Sequence, residues 1–145
     1  MFKRILVVCT GNICRSPIGE GLLKARLDGR GIEVLSAGVG ALVGHPADAH
    51  ASAVMREHGY DIDAHRAQQA TQPILAHSDL ILTMDQTHSD WLNQRYPQFR
   101  GRVHKMLKWQ ANADVDDPYR RPREAFERSF SEIESGVDDW VKRLG

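Results

Sequence analysis

A chain of 145 residues, 41% hydrophobic and 26% charged, has an ordinary globular composition, which excludes the collagen-like, disordered and disulfide-stapled classes. That length buries roughly 70% of the surface an unfolded chain exposes, so one domain over 1–145 is expected. Lys plus Arg and Asp plus Glu balance at 19 each, so the bulk charge points to neither nucleic acid nor an anionic membrane, and any anion site must be local.

The opening apolar run Ile5-Leu6-Val7-Val8 stops at Thr10-Gly11-Asn12, too short for a secretory h-region, and reads as a central parallel strand covered on both faces. No later run approaches the ~18 apolar residues that cross a bilayer, so no membrane insertion is expected. Ser16-Pro17 opens a helix with Ile18, Leu22 and Ala25 on one face, running to about Gly29. Ile32 to Leu35 is a second strand, and the glycines and proline from Gly38 to Pro46 mark a loop. Ala51, Val54, Met55 and His58 mark a helix stopped by Gly59; Leu80 to Leu82 and Val103 to Leu107 are further strands, separated by a helix around Trp91 and Leu92. Phe126, Phe130, Ile133, Val137, Trp140, Val141 and Leu144 recur at helical spacing, a long stripe suited to covering a sheet. Strands alternating with helices predict an α/β fold: a doubly wound parallel four-stranded sheet with helices on both faces and a phosphate loop after strand 1.

The two cysteines, Cys9 and Cys14, are too close in sequence to staple a secreted fold, which favours a reducing, cytoplasmic setting and a chemical role. Cys9-Thr10-Gly11-Asn12-Ile13-Cys14-Arg15-Ser16 sets a thiol and a guanidinium at the ends of one turn between strand and helix, a C-x5-R spacing. Successive amides of such a turn converge on an anion, and the helix N-terminus adds its positive end. The same field favours the reactive thiolate at Cys9, while the planar fork of Arg15 suits two phosphoryl oxygens. Gly11 is expected to take a backbone angle closed to other residues, and Asn12 to stiffen the loop from the left-handed region. Ser16 is suited both to capping the helix and to donating a hydrogen bond to the thiolate.

A phenol leaves with a pKa of about 10, so phosphate loss from tyrosine calls for a general acid. Asp116-Asp117-Pro118-Tyr119 offers one: Pro118 keeps Asp117 extended, and Tyr119 is placed to flank an aromatic ring. Local chemistry does not choose between the two aspartates, and both also suit a plain solvated turn.

The segment from Val8 to Pro17, with Asp117-Pro118-Tyr119 far downstream, resembles the phosphate loop and acid loop of the low-molecular-weight protein tyrosine phosphatases, and the likeness extends over the whole chain. The resemblance implies Cys9 as nucleophile, Arg15 as phosphoryl clamp and Asp117 as acid. Around these it implies Thr10, Gly11, Asn12, Ile13, Cys14 and Ser16 in the phosphate site, and Ser36, His65 and Asp85 in support. His65 by itself reads as an ordinary histidine. Cys14 is implied as a second loop cysteine able to form a disulfide with Cys9.

The implied chemistry uses no metal or cofactor, and none of the seven histidines forms a ligand cluster with the cysteines. The loop from Gly38 to Pro46 lacks the aromatic residue of some family members, leaving Leu42 and Tyr119 as substrate walls. That feature, with Arg120-Arg121, resembles the bacterial branch paired with tyrosine autokinases of exopolysaccharide or capsule export, so the implied partner is a phosphotyrosine protein of that kind. Two alternatives share these features. An arsenate reductase on this fold relays oxidation through further cysteines, and none follows Cys14; a cysteine phosphocarrier needs neither Arg15 nor Asp117.

Overall fold

The structure, a computed structural model, describes residues 2–144. The opening apolar run lies in strand β1 (Arg4–Cys9), with residues 5–9 all buried. Its neighbours are β2 (Glu33–Gly38) on one side and β3 (Leu80–Thr83) on the other, with β4 (Val103–Lys105) beyond β3. All three pairings are parallel, in the order β2-β1-β3-β4. The crossovers are helical: α1 (Arg15–Arg26) leads into β2, and α2 (Ala49–Glu57) and α3 (Gln72–His77) lie between β2 and β3. Helix α4 (Gln86–Arg95) and a 3-10 turn (Pro97–Arg102) precede β4, and α5 (Arg123–Leu144) closes the chain.

Alternation along β1 divides the core in two, as the pleat requires. Ile5 and Val7 pack with Ile18 and Leu22 of α1, Met55 of α2, and Phe126, Phe130, Ile133, Val137 and Trp140 of α5. Leu6 and Val8 pack on the opposite face with Leu75 of α3, Leu92 of α4 and Phe99. Val141 and Leu144 complete the α5 stripe half-buried. The chain therefore has the doubly wound α/β fold, with β1 at the point where the winding reverses, where such sheets bind ligands beyond their carboxyl ends. Among the described residues no helix is long and apolar enough to cross a membrane.

Several boundaries differ from the sequence reading. Helix α1 begins at Arg15 with Cys14 in the capping position, so Ser16 lies inside the first turn and is not the cap. The same helix ends at Arg26, where the guanidinium is tied to Tyr60, Glu134 and Asp138; Gly29 lies in the turn beyond, at φ 80°. Strand β4 stops at Lys105, where the carbonyls of Lys105 and Met106 accept from the Trp140 indole, at 3.2 and 3.1 Å. Helix α3 is an element the apolar periodicity did not reveal, since one turn and a half buries only Leu75.

Gly38 is where β2 meets the loop after β1. A Cβ there would lie 2.4 Å from the Thr10 carbonyl oxygen and 3.0 Å from the Asn12 amide nitrogen, both backbone atoms with nowhere to go. Gly38→Ala is expected to push that loop off the sheet, costing about 1–3 kcal/mol in urea unfolding and most of the catalytic activity. Wild-type stability and activity in this variant would show the contact to be slack.

Candidate active site

Residues 10–14 form the loop between β1 and α1. Its carbonyls point outward: those of Cys9, Thr10, Gly11 and Ile13 accept from the amides of Val39, Gly40, Leu42 and Asp48, and that of Asn12 from His65 Nε2 at 2.6 Å. The amides of residues 10–15 have no protein partner among the described residues, so a row of donors is turned inward, the geometry of an anion nest.

Asn12 holds this shape. It is fully buried and is the loop residue with positive φ, at 59°. Gly11 does not use the left-handed region as expected; a Cβ there would make only ordinary contacts with Ile13 and Leu42. An asparagine pays less than most residues for this conformation, and here every polar atom of its side chain is engaged. Nδ2 donates to Ser16 Oγ at 2.7 Å and to Ser36 Oγ at 3.0 Å, while Oδ1 accepts from the Gln68 amide at 2.9 Å. Ser36 Oγ in turn donates to Glu20 Oε1, at 2.5 Å. Since Ser16 Oγ accepts from Asn12, its proton is free for Cys9 Sγ, 2.9 Å away. The hydroxyl that does not cap α1 thus faces the sulfur.

Arg15 is 2% exposed, and its guanidinium fork is held by named partners. Nη1 donates to Asp85 Oδ2 at 2.8 Å and to the Val115 carbonyl at 2.7 Å. Burial by itself raises the Asp85 carboxyl, but hydrogen bonds from Thr87 and Arg15 outweigh it and hold the group below the usual carboxylate range. His88, absent from the sequence reading, completes this wall. Its Nδ1 accepts from the Asp85 amide at 3.2 Å, so Nε2 carries the proton and donates to Thr10 Oγ1 at 2.9 Å. Burial first, and the Arg15 charge next, lower the His88 pKa to about 4.

Unfolded, His88 titrates near 6.5, so between that value and about 4 the unfolded chain binds more protons. Its contribution to stability is complete above about pH 6.5 and is lost as pH falls toward 4. His88→Gln keeps a donor for Thr10 without titrating, and is expected to remove an acid-side loss on the order of 3 kcal/mol, read by urea unfolding at pH 7 and pH 4.5. An acid-side slope identical to wild type would contradict the buried neutral imidazole.

The nest opens into a pocket of about 170 Å³ lined by Cys9, Thr10, Gly11, Ile13, Cys14, Arg15, Gly40, Leu42, Asp117 and Tyr119. Cys9 lies deep, 3% exposed, while Leu42 and Tyr119 stand at the mouth, each 39% exposed. Asp117 reaches in from the loop before α5: Oδ2 is 3.8 Å from Arg15 Nη2, and Oδ1 accepts from the Tyr119 amide at 3.1 Å. Asp116 does not line the pocket; its charge, after burial, helps push up the Glu132 carboxyl on α5. Burial, then the Asp48 carboxylate, pushes the Cys14 thiol far up, so it stays protonated. Ser36, His65 and Asp85 each bond a residue of the loop or its arginine, whereas Glu20 and Gln68, which hold the same network, lacked any local signal in the sequence. Among the described residues no group of three or more His, Cys, Asp or Glu is arranged to hold a metal ion.

A reversal-point strand that ends in a thiol, an inward amide row and a clamped guanidinium defines a phosphate-handling enzyme of the cysteine-dependent kind. The sequence profile described as "Low molecular weight phosphotyrosine protein phosphatase" matches residues 4–145. The chain belongs to that family, and as a member it is a phosphatase of the protein-tyrosine class. The probable low molecular weight protein-tyrosine-phosphatase EpsP of Ralstonia nicotianae is 46% identical over 144 residues, covering 99% of this chain and 97% of its own. The structure of the tyrosine phosphatase Wzb from Escherichia coli K30 in complex with sulphate superposes with a TM-score of 0.96 at 39% identity, over all of both chains. The YwlE arginine phosphatase from Geobacillus stearothermophilus gives 0.91 at 33% identity, covering 97% of this chain and 92% of that one.

Proposed function

We propose that residues 1–145 form one phosphatase domain that hydrolyses phosphotyrosine in proteins through a phosphocysteine at Cys9. The observation that carries this reading is that the Cys9 sulfur, the Arg15 guanidinium and the Asp117 carboxylate share one small pocket with the amide row. Cys9 Sγ attacks phosphorus in line; the S–P bond forms as the bond to the tyrosyl oxygen breaks, and Asp117 protonates that oxygen. Arg15 and the amides of residues 10–15 take the equatorial oxygens as their charge changes. Ser16 Oγ stabilises the thiolate before attack and after release. In the second step water gives a proton to Asp117 and attacks phosphorus, the S–P bond breaks, and inorganic phosphate leaves.

The depth of Cys9 behind Leu42 and Tyr119 supports an aryl substrate: a phosphotyrosine ring spans the apolar mouth, whereas phosphoserine is too short to bring phosphorus to the sulfur. The family likeness supports a bacterial tyrosine autokinase of exopolysaccharide or capsule export as partner, and the cytoplasm as the place of action. Hydrolysis of matched phosphotyrosine, phosphoserine, phosphothreonine and phosphoarginine peptides tests the reading. Phosphotyrosine is expected to lead in kcat/KM by about 100-fold or more, the discrimination a shaped site achieves when the wrong substrate leaves its groups unpaired. Equal rates on phosphoserine, or a lead for phosphoarginine, would contradict it.

A further inference from the structure

The pocket accepts little beyond the phosphotyrosyl group, so the residues on either side of that tyrosine in a protein substrate must lie over its rim. The rim has two unlike sides. One is apolar and uncharged, formed by Leu42, whose chain neighbour Val43 is 66% exposed. The other carries Tyr119, which lines the pocket and is followed in the chain by Arg120 and Arg121, all three exposed. The Arg120 guanidinium lies 5.3 Å from the centroid of the Tyr119 ring, so it stands directly behind a wall of the pocket. Arg120 has φ 64°, a left-handed conformation that favours glycine and that an arginine adopts only at a cost. The turn is closed by the Arg121 amide, which donates to the Pro118 carbonyl at 2.9 Å.

Among the described residues Arg120 and Arg121 pair with no carboxylate, as several other surface arginines do not; what sets these two apart is that they directly follow Tyr119 of the pocket wall. Of the carboxylates nearest in sequence, Asp117 accepts from the Tyr119 amide and lies 3.8 Å from Arg15, and neither Asp116 nor Glu124 pairs with Arg120 or Arg121. Two adjacent cations thus follow the Tyr119 wall of the mouth, in a chain whose formal net charge is zero with them counted.

We infer that Arg120 and Arg121 determine specificity among phosphotyrosine sites, selecting those with an anionic side chain, a carboxylate or a phosphate, next to the phosphotyrosine. The inference rests on the tyrosine phosphatase reading of the pocket and adds the chemistry of the flanking sequence. An exposed pair of this kind gives a modest equilibrium gain and a larger effect on encounter, and salt screens both.

The test uses three phosphotyrosine peptides identical except for the adjacent residue: Gln, Glu or phosphoserine. In the wild type at low salt, kcat/KM for the Glu peptide should exceed that for the Gln peptide by about three- to fivefold. The phosphoserine peptide, with more charge, should exceed both. The Arg120→Gln, Arg121→Gln double variant should bring these ratios close to one, as should high salt for the wild type. The ratios are taken within each enzyme, so any change in overall activity or in the amount folded cancels. Ratios that are the same in wild type and variant, or a preference for the Gln peptide, would overturn the inference while leaving the phosphatase reading intact. No hydrolysis of any of the three peptides by the wild type would overturn the reading beneath it, and this inference with it.

Discussion

Cys9→Ser is expected to lower turnover of phosphotyrosine and of nitrophenyl phosphate alike by at least about four orders of magnitude, the scale on which loss of a covalent nucleophile is felt. A serine hydroxyl remains protonated at neutral pH, and the group in contact with the sulfur, Ser16 Oγ, is a donor and not a base. The variant should still fold and still bind inorganic phosphate, because the inward amide row and the Arg15 fork do not depend on the sulfur. Thermal denaturation with and without phosphate checks this. A folded variant that binds phosphate but does not turn over separates nucleophile from binding site, whereas retained turnover would remove Cys9 from the chemistry.

Asp117→Asn is expected to lower kcat/KM for phosphotyrosine by about 10²- to 10⁴-fold, the range over which a positioned acid acts. For a dinitrophenyl phosphate, whose leaving oxygen is a far weaker base, the loss in kcat/KM should be much smaller. Asp117 also serves as base in the second step, so the variant should release a burst of dinitrophenol as phosphocysteine accumulates. Asp116→Asn is the matched control: its carboxylate lies outside the pocket, and its neighbour in charge is Glu132. Equal losses for both substrates in Asp117→Asn, or a larger loss in Asp116→Asn, would contradict the role given to Asp117.

The parts of the site legible in the sequence are those whose partners are near in the chain. Cys9 and Arg15 bracket one turn, and an apolar run before it with Ser16-Pro17 after it announces strand and helix. The stripe from Phe126 to Leu144 was equally plain, because a long helix repeats its period many times. Short elements such as α3 repeat nothing, and were missed. What holds the loop is non-local. Asn12 meets Ser36, His65 and Gln68 through contacts spanning 24 to 56 positions, and Thr10 meets His88 across 78. No spacing rule connects such residues. For Ser36, His65 and Asp85 the family likeness supplies what local chemistry does not, but it does not single out His88. A signal for it existed in the Asp85-x-x-His88 spacing, where Asp85 caps α4 and the imidazole accepts the Asp85 amide, a capping box with histidine in the fourth place. Ser16 carries two readings in the sequence, of which the thiolate donor holds and the cap does not. Its type and position suited a helix cap, yet the competing partners were a buried asparagine and a thiol, and tertiary structure decided between them.

Acid-quenched mass analysis of the enzyme during turnover of a phosphotyrosine peptide tests the central claim most directly. One phosphoryl group is expected on Cys9 of the wild type and none in Cys9→Ser; in Asp117→Asn it should be more abundant when dinitrophenyl phosphate is the substrate, since its first step needs little acid and only the second is slowed. A phosphoryl group on any other residue, or full turnover in Asp117→Asn with no phosphoenzyme, would contradict the claim.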